Sequence, residues 1–310
     1  MNYNSLNAYL RKKYGEKVYK LALNGGMTCP NRDGTLDTRG CLFCSAGGSG
    51  EFAANQLEAA KQRLSRKQTG SKYIAYFQAY TNTYAPVEYL RNLFLPILMQ
   101  DDIVGISIGT RPDCLPKDVL TLLDELNQIK PVWVEIGLQT IHEKTASLIR
   151  RGYELPCFDY AVRELRKRNI DVIVHLIFGL PGENKEDMIE SVHYVNQSHI
   201  QGVKFQLLHI LQGTDLADFY ATQEANMLGE HESDYVLIQP LTMEGYIDIL
   251  CDAIENLSPD IVIHRMTGDG PKKLLIAPTW SADKKKVLNA IHQEFVRRDI
   301  CQGRALSDFF

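Results

Sequence analysis

Runs of β-branched and aromatic residues alternate with helix-length stretches along the first 211 residues, and this alternation constrains the fold most. The strand candidates are VYKLAL (18–23), YIAYFQAY (73–80), IVGISIG (103–109), VWVEIGL (132–138), DVIVHLIFG (171–179) and VKFQLLHIL (203–211). Between them, residues 86–100, 116–129, 157–169 and 184–198 repeat apolar side chains every three or four positions, which is typical of amphipathic helices. The sequence therefore predicts an α/β fold, a partial TIM-type (βα)6 barrel with its active residues on the loops after the strands.

The pattern changes after about residue 222. An acidic segment is followed by a helix candidate at 243–257, short strand candidates at 261–266 and 273–278, and a final helix candidate at 283–299. We expect a barrel at 1–222, with a cluster loop at 24–50. The remainder, 223–310, is expected to form a small C-terminal α+β extension that acts as a candidate substrate lid.

Three of the seven cysteines lie close together, as Cys29-x11-Cys41-x2-Cys44, in the long loop after the first strand candidate. This uneven distribution suits metal binding better than a disulfide framework. Three cysteines leave one iron of a cubane cluster without a protein ligand, whereas structural zinc normally takes four. The sequence favours an open iron-sulfur cluster; a zinc site completed by a distant ligand and chance clustering are the alternatives.

The charge of the chain is unevenly distributed around a formal net value of -4. Residues 1–20 carry five basic and one acidic side chain, residues 61–72 five and none, and residues 265–304 nine and four. If these segments meet on one face, that face can bind a polyanion; the alternative is a set of solvated helix faces. The apolar runs are far shorter than the roughly 20 residues that span a bilayer, and no export signal is evident. We therefore expect a cytoplasmic protein with no membrane partner.

Five motifs occur in order along nearly the whole chain and carry a resemblance to a known family. They are CPNRDGTLDTRGCLFCSAGGSG (29–50), GTRPDCL (109–115), VEIGLQT (134–140), HLIFGLPGE (175–183) and HRMTGDGPK (264–272). The chain resembles the bacterial branch of the Elongator-catalytic-subunit-like radical-SAM proteins. Radical-SAM enzymes in general use C-x3-C-x2-C; the longer first gap found here is shared by the Elongator-like branch.

The resemblance implies that Cys29, Cys41 and Cys44 bind a [4Fe-4S] cluster whose fourth iron chelates S-adenosylmethionine. An electron from a donor such as flavodoxin or ferredoxin then produces a 5'-deoxyadenosyl radical, which abstracts hydrogen from the substrate. The implied substrate is the side chain on C5 of a wobble uridine in tRNA. Because no acetyltransferase domain follows the barrel, we expect remodelling of a preformed side chain.

The resemblance also implies a set of residues that bind S-adenosylmethionine: Phe43, Gln78, Thr81, Asn82, Thr110, Glu135, Gln139 and His175. Phe43 matches a position near the adenine, and the residues after strand two match a motif for the methionine amino group, although the usual Gly-Gly-Glu is absent. Glu135 and Gln139 are ribose or sulfonium candidates. Arg265 and Asp269 are candidate substrate contacts.

Each candidate has a structural alternative. Phe43 can anchor the loop, the residues after strand two can form a polar turn, and His175 can be a core histidine. Glu135 lies in an apolar strand, where an ionised carboxylate needs a ligand or a basic partner. Arg111, just past the third strand candidate, can contact a carboxylate or a phosphate; its structural alternative is an ion pair with Asp113.

Two rival functions stay open from the sequence. One is a zinc-stapled nucleic-acid-binding protein without catalysis, and the other is a radical-SAM enzyme for a small metabolite, as in the tetrapyrrole-oxidising relatives.

Overall fold

The chain folds around a parallel half-barrel of seven strands, in a computed structural model that describes residues 2–64, 69–226, 236–268 and 270–309. The strand order is β1-β2-β3-β4-β5-β6-β8. These strands are β1 (Val18–Leu23), β2 (Lys72–Phe77), β3 (Ile103–Thr110), β4 (Val132–Gln139), β5 (Asp171–Phe178), β6 (Gly202–Leu207) and β8 (Val262–Arg265). The predicted fold class, a partial TIM-type barrel, is confirmed.

Helices cover the outer face of the sheet, where apolar side chains such as those of Leu90, Phe94 and Leu98 form the main core. None of the helices in the described ranges is long and apolar enough to cross a bilayer. They are α1 (Leu6–Tyr14), α2 (Leu57–Leu64), α3 (Val87–Leu98), α4 (Lys117–Ile129), α5 (Glu143–Leu148), α6 (Leu155–Arg166), α7 (Lys185–Gln197), α8 (Asp215–Asn226), α9 (Met243–Glu255) and α10 (Lys284–Arg297).

Two predicted strands leave the barrel sheet several residues earlier than the sequence indicates. The run 73–80 leaves the sheet after Phe77, and Tyr80 adopts a positive φ of 59°, which is incompatible with an extended strand. The run 203–211 is two strands, because β7 (Ile210–Leu211) leaves the barrel sheet and pairs antiparallel with β9 (Leu275–Ala277). Side-chain periodicity alone does not reveal that change of partner.

The segment predicted as an extension also contributes to the half-barrel, because β8 pairs parallel with β6. The N-terminal segment reaches the same edge, where Ser5 bridges to Ile263. The boundary at 222/223 stays a prediction. Asp269, and residues 65–68 of one basic segment, lie outside the described residues.

The interior of the half-barrel is arranged in layers along the strands. Leu10 of α1 packs against an apolar layer near the strand amino ends, made of Val18, Ile74, Trp133 and Ile173. Residues two positions apart on a strand share a face, so the next layer up contains Lys20, Tyr76, Glu135 and His175. Helix α1 thereby closes the amino end, and the cavity opens toward the carboxyl ends of the strands.

Candidate active site

The loop after β1 folds back on itself and brings three cysteines to one cavity. The backbone nitrogen of Arg32 donates to the Cys29 carbonyl at 2.8 Å, and that of Cys44 donates to the Cys41 carbonyl at 3.0 Å. Gly40 has a φ of 80°, a conformation that favours glycine. The eleven-residue gap thus closes on itself, and Cys29, Cys41 and Cys44 line a cavity of about 240 Å³.

Burial controls the protonation of two of these thiols, those of Cys41 and Cys44. It raises the pKa of Cys41 to about 12 and also raises the pKa of Cys44. Two neighbours in the loop favour the thiolate form: Asn31 Nδ2 donates to Cys41 Sγ at 3.4 Å, and the Arg32 cation lies beside Cys44. Because the thiolate is the metal ligand, a bound metal would replace these protons.

The cavity brings together most of the residues predicted to bind S-adenosylmethionine. Phe43, Gln78, Thr81, Thr110, Glu135, Gln139 and His175 all line it together with the three cysteines. Asn82 is not among its lining residues. The Asn82 amide donates instead to the carbonyls of Phe77 at 3.1 Å and Gly109 at 2.9 Å, and so ties the end of β2 to the end of β3.

Glu135 is a fully buried carboxylate in the cavity floor, and protein groups occupy both its oxygens. Ser107 donates to Oε1 at 2.6 Å and His175 to Oε2 at 2.8 Å. Lys20 and Lys204 also donate to the carboxylate. Burial alone would raise the pKa of Glu135, but the two lysines hold it well below its usual range. The contacts of Glu135 are therefore those of a buried carboxylate paired with basic side chains, which was the structural alternative for this residue.

The sequence analysis did not identify Lys20 or Lys204 as site residues. It applied the argument that a buried charge needs a partner to Glu135 alone. Each lysine interrupts a strand with many buried residues, VYKLAL in β1 and GVKFQL in β6, and an ionised group there needs a partner. Lys204 also donates to the Tyr76 hydroxyl at 3.1 Å. Tyr76, Tyr80 and Tyr153 line the cavity as well, and none of them was a site candidate from the sequence.

Arg111 forms an ion pair with Asp113, which was the structural alternative for this residue. Its Nε and Nη2 donate to the Asp113 carboxylate at 2.9 and 2.6 Å, and its Nη1 donates to the Arg151 carbonyl at 2.9 Å. The turn after β8 reaches the cavity, because Arg265, Gly268 and Gly270 line it.

Comparison with known proteins identifies the family. The profile of the Radical SAM superfamily matches residues 38–195, and that of the Radical_SAM C-terminal domain matches residues 200–297. The chain belongs to the radical SAM superfamily. Cys41 and Cys44 lie inside the first match, and Cys29 precedes it.

The chain is also similar to individual proteins and to solved structures. The uncharacterized protein YtqA of Bacillus subtilis is 46% identical, over 97% of this chain and 92% of its own length. A tRNA uridine(34) acetyltransferase of Methanocaldococcus infernus is 27% identical over 139 residues, 43% of this chain and 25% of that enzyme. The structure of archaeal M. infernus Elp3 superposes with a TM-score of 0.67 at 17% identity, covering 92% of this chain and 64% of the other.

Radical SAM proteins carry a [4Fe-4S] cluster and bind S-adenosylmethionine, and the residues of this cavity fit both groups. The three thiols supply ligands for three irons. Gln139 ends β4 with a φ of 67°, and its Oε1 is buried without a hydrogen-bond partner among the described residues. A buried acceptor without a partner costs roughly 1–3 kcal/mol. A donor on bound S-adenosylmethionine would remove that cost.

Proposed function

We propose that this radical SAM enzyme belongs to the Elongator-like branch and remodels a preformed side chain on C5 of a wobble uridine in tRNA. The observation that carries the proposal is the sequence similarity to a tRNA uridine(34) acetyltransferase, whose name specifies the nucleoside. The five motifs that occur in order along the sequence support the same branch. The cysteine loop is one of them, and the other four also contribute residues to this cavity.

The floor of the cavity suits a polar substrate group. Tyr76, Lys204 and Arg265 line it beside Glu135, so that hydrogen-bond donors surround a single carboxylate. When bound, the cluster and S-adenosylmethionine supply a one-electron cleavage that removes a hydrogen atom from the substrate. The floor residues would hold the substrate, and α1 closes the amino end of the barrel against water.

Only part of the basic charge lies near this cavity. Lys272 and Lys273 are exposed and directly follow Pro271, which lines the cavity. Lys12 and Lys13 are also exposed, but they lie in the last turn of α1, shortly before β1 begins, at the amino ends of the strands. We therefore propose that Lys272 and Lys273, and not Lys12 and Lys13, contact the phosphate backbone of tRNA.

The first experiment is to incubate the reduced, reconstituted protein and S-adenosylmethionine with tRNA from cells that lack this chain. Mass spectrometry of the digested nucleosides should show a mass change confined to a wobble uridine. If every nucleoside is unchanged while 5'-deoxyadenosine forms with a small metabolite, the metabolite alternative replaces this proposal.

A charge-reversal pair tests the RNA surface. Lys272→Glu/Lys273→Glu should weaken tRNA binding at least tenfold and flatten its salt dependence, because two phosphate contacts are lost. The matched control, Lys12→Glu/Lys13→Glu, should bind as the wild type does. Equal losses in both variants would contradict the assignment of the RNA to the cavity side.

Two further proposals concern the electron donor of the cluster and the cellular location of the protein. Reduction of the cluster needs a low-potential one-electron donor, for which we propose a flavodoxin or a ferredoxin. We also propose a cytoplasmic location, since all seven cysteines are free and a reducing compartment keeps thiols available for iron.

A further inference from the structure

Arg32, inside the gap between the first two cysteines, connects both ends of the cysteine triad. Its Nη2 donates to the carbonyl oxygens of Cys44 and Ser45, both at 2.7 Å, and its backbone nitrogen donates to the Cys29 carbonyl. A Cβ at Gly40 would lie 3.0 Å from the Arg32 guanidinium, so the guanidinium lies directly over that glycine. The side chain is therefore fixed beside the thiols.

The charge of Arg32 is balanced differently from that of its neighbours. Arg111 pairs with Asp113 at 2.6 Å, and Arg39 of the same loop pairs with Asp215 at 3.3 Å. Within the described ranges of the chain, no ion pair with a carboxylate involves Arg32. Arg32 lines the same cavity as Cys29, Cys41 and Cys44, so a cluster bound by their thiolates would be an anion that its charge faces.

A fixed cation at this position affects electron transfer. A [4Fe-4S] cluster with three thiolates carries a net charge of about -1 when oxidised and about -2 after taking one electron, and cluster potentials depend on nearby charge and hydrogen bonds. A cation held beside the sulfurs stabilises the more negative, reduced state, and does so more strongly in a half-buried site than in water.

We propose that Arg32 raises the reduction potential of the cluster and so makes its reduction by a low-potential one-electron carrier easier. The carrier loses one electron and the cluster gains it, and no bond at Arg32 forms or breaks. Arg32 is a positioning residue that acts through the cysteine sulfurs. The hydrogen bond from Asn31 to Cys41 Sγ acts in the same direction. The proposal concerns the cluster alone and stands whether or not the substrate is tRNA.

The test compares variants of Arg32 that keep or remove the charge, in the full chain with reconstituted cluster. Iron and sulfide are counted first, and the reduced fraction is then measured by EPR at a series of fixed potentials. At one fixed potential, Arg32→Gln should lower the ratio of reduced to oxidised cluster about tenfold, which is 59 mV for one electron. Arg32→Lys should stay within about threefold of the wild type. The control Arg39→Gln, which removes an exposed and paired cation from the same loop, should leave the ratio unchanged.

Several results would overturn the proposal. One is Arg32→Gln with four irons and the wild-type ratio, and another is an equal fall in Arg32→Gln and Arg32→Lys, because then the charge is not the cause. A second neutral variant, Arg32→Met, serves if Arg32→Gln does not fold. If neither neutral variant holds iron while Arg32→Lys does, Arg32 is an assembly residue and its assignment to the potential is wrong.

Discussion

His175 Nε2 donates to Glu135 Oε2 at 2.8 Å, between two neighbouring parallel strands in the floor of the cavity. The same carboxylate bonds Lys20 on β1 and Lys204 on β6. Glu135 is thus the counter-charge for ammonium groups from both sides of the half-barrel. Its loss would leave buried charge without compensation.

We expect Glu135→Gln to lower the free energy of unfolding by about 3–5 kcal/mol, the usual cost of removing one partner from a buried ion pair. Urea unfolding of the apoprotein measures it. The control is Glu125→Gln, because Glu125 pairs with Arg91 at 2.6 Å on the surface, where such pairs contribute at most about 1 kcal/mol. Equal losses in the two variants would show that the buried network is not a unit of stability.

The same layer predicts a dependence of stability on pH. Burial, followed by the charge of Lys204, lowers the pKa of His175 from 6.5 to about 4. Between these values the unfolded chain binds a proton that the folded chain does not, so the contribution of His175 to stability is lost as pH falls from 6.5 toward 4. His175→Gln removes that contribution. The loss of stability between pH 7 and pH 5 should become smaller by about 2 kcal/mol.

Urea unfolding at the two pH values checks this expectation. The matched control is His292→Gln, because His292 lies on α10, outside the half-barrel interior. A wild-type difference between pH 7 and pH 5 in the His175→Gln protein would contradict it.

The helices, the strands and the cysteine loop that the sequence predicted well all depend on residues close together in the chain. The bounds of β1 agree at both ends, and α4 begins one residue later than the predicted 116–129. Hydrophobic periodicity is a property of one short segment, so it identifies a helix or a strand without information on the segments that pack against it. The convergence of the cysteines was also predictable, because loop glycines and the thiols lie within one short segment.

Partners distant in sequence explain what was missed. Glu135 lies 115 positions from Lys20 and 69 from Lys204, so the sequence shows that a partner is needed without showing which one. The sequence likewise placed the strand at 262–265 in the C-terminal extension, because its pairing with β6 is not evident from the sequence. That Oε1 of Gln139 has no hydrogen-bond partner among the described residues depends on the three-dimensional contacts around it, which the sequence does not show.

Replacement of the cysteines should separate metal ligands from the other thiols. Each of Cys29→Ala, Cys41→Ala and Cys44→Ala should lose bound iron and sulfide, since an open cluster has no protein ligand to spare. Cys301→Ser should retain four irons, because Cys301 lies near the C-terminal end of the chain and does not line the cavity. Iron and sulfide analysis after anaerobic reconstitution measures both. Stoichiometric zinc in the wild type, lost from the same three variants, would contradict the cluster.

Gln139 offers a test of cofactor binding that needs no substrate. Gly137 leaves room for its side chain, since a Cβ there would lie 2.5 Å from Gln139 Nε2, and the amide oxygen remains buried without a partner among the described residues. If S-adenosylmethionine donates to this oxygen, Gln139→Leu should raise the Kd about tenfold, or about 1.4 kcal/mol.

Anaerobic calorimetry with the cluster-loaded protein gives the Kd, and iron content shows that the cluster is intact. Leucine is the substitution of choice because, like glutamine, it is unbranched at Cβ and adds no further strain at the positive φ. The control is Gln128→Leu, on the exposed face of α4. An unchanged Kd in Gln139→Leu would mean that the oxygen faces a water molecule or the substrate, and the assignment of Gln139 to S-adenosylmethionine would be wrong.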